Sequence, residues 1–309
     1  MNVFKEISNY RKAYSNWFSV LYKIYKIRKK VKDRSIINIK VTLRNTKETV
    51  ETSRTVAGYY SHLNFINKNP KIHNLTINQN LLCFSYEDSR LKFDVRRGLG
   101  DLIEVFFKEA YNFLKAEGKT VIDIGANIGD TTIYFAVKGA TKVISLEPYP
   151  YTFASAKKNI DLSEFKNKIE LINAGYGEDK KIIIDTSFIP DSGSGIRENE
   201  NGTEINLFSL KTLMSKYDIV SGILKMDCEG CEYNLLKEAN ETIRKFSMIQ
   251  IEYHYGYEKL VNKLKECGFD TKFTLPTKFY SPTASNQNML VGYVFGTRTE
   301  IPKAPLPST

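Results

Sequence analysis

The sequence predicts an α/β protein with a doubly wound, mostly parallel sheet, preceded by an N-terminal amphipathic helix and a small β-rich unit. Three observations lead there. An apolar strand at residues 121–124 runs into a glycine-rich turn at 125–129 and then into a helical run that starts at Asp130. One βα unit downstream, a second apolar strand ends in Glu147. Beyond residue 222, strands and helices keep alternating, which is the rhythm of a parallel sheet covered by helices.

Taken in order, residues 3–31 carry Phe4, Ile7, Tyr10, Tyr14, Trp17, Leu21 and Ile24 at helical spacing, with Lys23, Lys26, Arg28, Lys29 and Lys30 gathered at the end. Cations suit a helix C-terminus, so this is either the solvated end of a core-packed helix or a peripheral contact with an anionic membrane or RNA. Residues 37–43 alternate like a half-buried strand, and 81–95 read as two strands around an Asp-Ser turn. Residues 101–118 read as an amphipathic helix that stops at Gly118. Strands follow at 142–147, 168–173, 222–227 and 248–253, and helices at 151–160, 231–245 and 257–267. The polar stretch 187–203 reads as a loop, either an insertion or a lid over a substrate. The chain thus divides into an N-terminal basic region (1–100), a main domain (101–298) and a flexible tail (299–309).

The chain has 309 residues and a net charge of +10; the basic excess lies entirely in the N-terminal region, and the remainder is slightly acidic. It contains no apolar run of membrane-span length and no apolar signal core, so a cytoplasmic protein, in places peripheral to the membrane, is expected. Cys83, Cys228, Cys231 and Cys267 include one Cys-x-x-Cys pair without a second pair at metal spacing, and only three histidines occur. Reduced thiols packed at a strand-to-helix turn are expected.

The glycine turn narrows the cofactor. Neither G-x-G-x-x-G nor a Gly-Lys-Ser/Thr ending is present, which argues against a dinucleotide and against a nucleoside triphosphate. Asp123, two residues before Gly125, repels phosphate and welcomes an ammonium or sulfonium group. S-adenosylmethionine offers both. Glu147 stands where an acidic strand tip accepts ribose hydroxyls in doubly wound folds. Further along, one strand ends in Asp227, Glu229 and Glu232, and the next in Glu252 and His254, whose spacing places both on one face. Ligands of open α/β sheets bind outside the carboxyl ends of the strands, so these tips should converge.

DIGANIGD, LEPYP, LKMDCEGCEY and IEYH, in that order, resemble the FkbM family of S-adenosylmethionine-dependent methyltransferases across residues 101–256. The resemblance implies a class I methyltransferase (Rossmann-like) fold and O-methylation of a hydroxyl on a sugar, glycan or small-molecule acceptor. The cofactor residues expected on this reading are Asp123, Gly125, Ala126, Asn127, Gly129, Glu147, Pro148 and Asn173. Asp123 would face the ammonium, Glu147 the ribose and Asn173 the adenine edge. Asp227 or a neutral His254 would be the base, with Glu229, Glu232 and Glu252 orienting it or the acceptor. A divalent metal on Asp227, Glu229, Glu252 and His254 is the less favoured variant. The alternative is an RNA methyltransferase or RNA-binding protein that uses the basic N-terminal region.

Overall fold

The computed structural model describes residues 3–28, 38–95, 99–188, 194–280 and 288–298. The end of the expected N-terminal helix at 29–31, with Lys29 and Lys30, and the expected tail at 299–309 lie outside the described residues. Two compact units emerge: Met1–Ala110 with Ile128–Asp130 and Ser155–Lys166, and the remainder of the chain.

In the first unit the expected single N-terminal helix is two, α1 (Val3–Ala13) and α2 (Trp17–Arg28). The break has a cause in β1 (Asn38–Thr42), which pairs antiparallel with β2 (Thr49–Ser53). Tyr14 leaves the helix to bridge Leu43, and the Asn16 side chain takes the strand edge, donating to the Lys40 carbonyl and accepting from the Thr42 amide at 2.8 Å. Inside, Tyr14 is fully buried and donates to the Ala57 carbonyl at 2.7 Å. Ala57 belongs to α3 (Arg54–Ile66), an unforeseen helix whose N-cap Ser53 accepts from the Val56 amide. On α2, Val20 and Ile24 are buried, whereas Phe18, Tyr22 and Tyr25 are exposed beside Lys23 and Lys26.

A three-stranded antiparallel sheet follows: β3 (Ile72–Asn78), β4 (Leu81–Tyr86) and β5 (Ser89–Asp94). The expected helix at 101–118 is much shorter, comprising α4 (Leu99–Leu102) and one π-helical turn, Ile103–Phe107. Glu109 ends it in a left-handed conformation (φ 52°), with its carboxylate held by Lys71 at 2.7 Å and by the Tyr86 hydroxyl. These two anchors outweigh the amphipathic pattern.

The second unit is built on one large sheet. Its first strands are β6 (Thr120–Ile124) and β7 (Lys142–Leu146), with α5 (Asp130–Val137) between them in sequence, followed by α6 (Pro150–Asp161), whose residues from Ser155 onward belong to the first unit, and β8 (Ile169–Ile172). An inserted small sheet comes next, formed by β9 (Ala174–Tyr176), β10 (Lys180–Ile184) and β11 (Thr203–Phe208), with β11 central. The described part of the expected 187–203 loop extends this hairpin, since Glu198 bridges Ile184. Then come α7 (Leu210–Lys216), β12 (Gly222–Met226), a 3-10 helix at Cys231–Lys237, α8 (Asn240–Ile243), β13 (Phe246–Tyr253) and α9 (Glu258–Glu266). The expected helix 231–245 is interrupted at Glu238, which adopts extended backbone so that its carboxylate accepts from the Leu210 amide at 2.7 Å. Three antiparallel strands, not foreseen, complete the unit: β14 (Asp270–Phe273), β15 (Thr277–Tyr280) and β16 (Asn288–Thr297).

The sheet order is β14-β16-β13-β12-β6-β7-β8, parallel from β13 to β8, with β16 inserted antiparallel between β13 and β14. This is the class I methyltransferase architecture expected from the sequence. Its central strands are apolar on both faces because helices cover both; every residue of β12 is buried, including Lys225.

Candidate functional site

The site lies at the carboxyl ends of β6, β7, β12 and β13. Parallel pairing in register places Asp123 opposite both Ser145 and Lys225. Gly125 has a left-handed φ of 83°, and a Cβ there would lie 1.8 Å from the Asp227 carbonyl oxygen. The glycine is therefore required by the approach of the β6 and β12 tips. Gly129, in the segment that belongs to the first unit, also has φ 83°, and its Cβ would meet the Ala156 carbonyl oxygen at 3.2 Å. Both glycines serve a close backbone approach within the protein.

Asp123 is also corrected. It is fully buried, its Oδ2 accepts from the Thr131 and Thr132 hydroxyls at 2.8 and 2.7 Å, and its Oδ1 pairs with Lys225 Nζ at 3.0 Å. A carboxylate so occupied is not presented to a cofactor ammonium. Lys225 in turn donates to the Gly125 carbonyl at 2.7 Å, turning that carbonyl inward. The amides of Gly125 and buried Ala126 donate to the Leu146 carbonyl, and the Asn127 amide to Glu147 Oε2 at 3.0 Å. These three N–H groups hold the turn against β7 and are not an open anion cradle.

Glu147 is the residue this scaffold positions. Its second oxygen accepts from the Tyr149 amide at 3.1 Å, and burial pushes its carboxyl up to about 8, against the pull of the two amides and Lys225. Asn173 donates from one amide nitrogen to the carbonyls of Glu147 and Pro148, both at 2.9 Å. Its side chain thus fixes the bend after β7, a different task from the expected reading of an adenine edge.

On the other side of the sheet centre, the tips of β12 and β13 bring the expected catalytic residues together. His254 is buried and lies between carboxylates: its Nδ1 is 3.0 Å from Glu232 Oε1 and its Nε2 is 3.2 Å from Glu229 Oε2 and 3.8 Å from Asp227 Oδ1. Burial opposes its charge, but Glu229 and Glu232 outweigh burial and hold the imidazolium well above the usual histidine value. The expected neutral, proton-accepting His254 is therefore corrected to a protonated one. Burial raises Glu229, with His254 opposing, and raises Glu252 to about 8 with help from Asp227. Asp227 accepts from the Tyr111 hydroxyl at 3.0 Å, and burial keeps that phenol protonated well above its usual value.

Cys228 and Cys231 form a disulfide across the turn between Asp227 and Glu232, which corrects the expectation of reduced thiols there. Cys83 and Cys267 are free thiols. Within the turn Glu229 and Gly230 both have positive φ, 58° and 112°.

Residues 123–271 match the methyltransferase FkbM domain. The chain matches that domain over a little under half of its length. It is similar to hexuronic acid methyltransferase AglP of Haloferax volcanii, with 27% identity over 186 residues, covering 58% of this chain and 72% of that protein. Among solved structures it is similar to M. jannaschii TYW2 in complex with AdoMet (TM-score 0.37, 15% identity, 74% of this chain and 93% of that one). It is also similar to P. horikoshii TYW2 in complex with MeSAdo (TM-score 0.36, 14% identity, 90% and 99%).

At the strand tips Asp123 pairs with Lys225, Glu229 and Glu232 flank His254, and burial pushes Glu147 and Glu252 up to about 8. The ligating atoms of Asp227, Glu252 and His254 lie within 4.8 Å of one another, a span a divalent ion can bridge, although an ion on Nε2 would compete with Glu229. Sequence reasoning missed Lys225 and Tyr111. A lysine inside the apolar run GILKM was a legible signal of a buried ion pair; nothing local marked Tyr111.

Proposed function

We propose that the protein is an S-adenosylmethionine-dependent O-methyltransferase acting on a sugar hydroxyl. The observation that carries this reading is the His254 imidazolium held between Glu232 and Glu229 beside Asp227, at the strand tips next to the Glu147 turn. The name of the similar hexuronic acid methyltransferase supports a sugar acceptor. S-adenosylmethionine, when bound, supplies a sulfonium-activated methyl group. Glu147 accepts the ribose hydroxyls. Asp227 takes the acceptor hydroxyl proton, Tyr111 holds its second oxygen, and His254 offsets the negative charge that gathers around it. Balance requires one proton released per ether formed, and the carboxylate cluster gives it a place. Labelled cofactor offered with glycans, phenols and RNA tests the reading: methylated RNA without methylated glycan would overturn it.

We further propose that α2 makes a peripheral contact with anionic lipid. Phe18, Tyr22 and Tyr25 recur at i, i+4 and i+7, and all are more than half exposed beside exposed Lys23 and Lys26. Aromatic and basic groups on one helix face suit an interface of acyl chains and anionic headgroups. No helix among the described residues is long and apolar enough to cross a membrane.

A further inference from the structure

A half-open cavity of about 360 Å³ lies between the small β9–β11 sheet and the turn that follows β12. We infer that this cavity is the acceptor site and that it takes one glycosyl unit, with Lys180, Asn234 and Tyr255 selecting it and Glu229 joining it to the reacting cluster. The inference rests on the methyl-transfer reading above.

Position comes first. Glu229 lines the cavity, and its buried Oε2 lies 3.2 Å from His254 Nε2, so this side chain is shared by the cavity and the cluster. The opposite wall is tied to the cofactor side. Gly195 approaches so closely that a Cβ on it would lie 2.6 Å from the Glu229 carbonyl oxygen, and its own carbonyl accepts from the Tyr149 hydroxyl at 2.9 Å. Tyr149 is two residues beyond Glu147, and Gly195 precedes Ile196, which lines the cavity, so the chain beside the cofactor carboxylate is hydrogen-bonded to the chain that forms a wall.

Chemistry comes second. Lys180, Asn234 and Lys237 offer donors, Glu178, Glu198 and Glu229 offer acceptors, and the Tyr255 ring offers a flat apolar face. A sugar ring presents hydroxyls that both donate and accept around its edge, with C–H groups on its faces, and so satisfies such a lining. A fused apolar acceptor would strand the charged groups without partners. A polyanion would meet three glutamates, and Lys237 already pairs with Glu178 at 3.3 Å. Tyr255 is held in place: its amide donates to the Tyr233 hydroxyl at 2.9 Å, and that hydroxyl donates to the Gly256 carbonyl at 2.6 Å.

Size comes third. The volume is at the small end of the roughly 300–1,000 Å³ usual for ligand pockets, which suits one ring with the rest of a glycan outside.

The test uses the full chain and two readouts: cofactor binding by calorimetry, and saturation-transfer NMR with methyl glycosides of hexoses and hexuronates. Lys180→Trp narrows the mouth from an exposed position, and Asn234→Ala removes an amide. Glycoside signals in the native protein that fall at least about tenfold in both variants, with cofactor affinity unchanged, support the assignment. Equal signals in native protein and both variants overturn the cavity, and preferential uptake of naphthol over every glycoside overturns the class. Glycoside binding lost in the variants in a protein that binds no S-adenosylmethionine supports the cavity and overturns the methyl-transfer reading instead.

Discussion

Lys225 and Asp123 form an ion pair of 3.0 Å between adjacent strands of the sheet, with side chains only 1% and 0% exposed. The pair joins β12 to β6 directly below the glycine turn, and Lys225 adds a hydrogen bond to the Gly125 carbonyl. Removing one partner strands a charge in a medium that solvates it poorly. Lys225→Met is therefore expected to cost about 3–5 kcal/mol, whereas Asp123→Asn with Lys225→Met should cost clearly less. Urea unfolding of the two single variants and the double variant checks this; additive losses would contradict it.

Glu147 predicts a proton-linked cofactor affinity. Burial raises its carboxyl from 4.5 to about 8 in the ligand-free protein, with Lys225 lowering and Asp123 raising it electrostatically. Because the folded value lies above the unfolded one, this group favours the fold at low pH, and that contribution is lost as pH rises through about 8. Ribose hydroxyls donate to the ionised form, so binding releases the proton. Affinity should rise with pH, by up to about tenfold per unit below pH 8, and level off above it. Calorimetry in buffers of different ionisation enthalpy measures the released proton; a flat profile, or one unchanged in Glu147→Gln, would refute the assignment.

Glu232 is expected to act through His254. The histidine's folded value is raised, so its stabilising charge is fully present below the usual histidine range and lost as pH rises through the raised value. Glu232→Gln weakens that hold and should move the alkaline limb of the pH–rate profile to lower pH. Asp227→Asn should instead lower kcat by about 100-fold or more with cofactor affinity retained. A Glu232→Gln profile that keeps its shape would remove the positioning role.

Reduction of the Cys228–Cys231 disulfide frees the turn that aims Glu229. Glu229 and Gly230 both occupy left-handed backbone there, a conformation that an unlinked Glu leaves readily. Methyl transfer should slow several-fold in reductant while cofactor affinity holds. Cys228→Ser with Cys231→Ser should reproduce the reduced rate and be insensitive to reductant.

The α2 proposal predicts co-sedimentation with vesicles containing phosphatidylserine and not with phosphatidylcholine alone. Replacing Phe18, Tyr22 and Tyr25 by Ser should abolish it, and their exposure makes the fold tolerant of the change. RNA binding that survives these substitutions, with no vesicle binding in the native chain, would assign the basic region otherwise.

What the sequence determined by itself is the part of the protein written in local patterns. The β6–turn–α5 unit, Glu147 at the end of β7, and the acidic tips of β12 and β13 follow from apolar periodicity, glycine placement and the topology of parallel sheets, which depend on neighbours close along the chain. Tertiary structure decided the rest. Asn16 splits the N-terminal helix because its side chain completes a strand edge at Lys40 and Thr42, and β16 enters antiparallel through pairing with a strand about forty residues earlier. Asp123 faces Lys225, and His254 keeps its proton, because strand register and burial brought distant charges within 3.2 Å of one another. Charge state and hydrogen-bond partners are set by desolvation and by neighbours remote in sequence, so no local pattern could have assigned them.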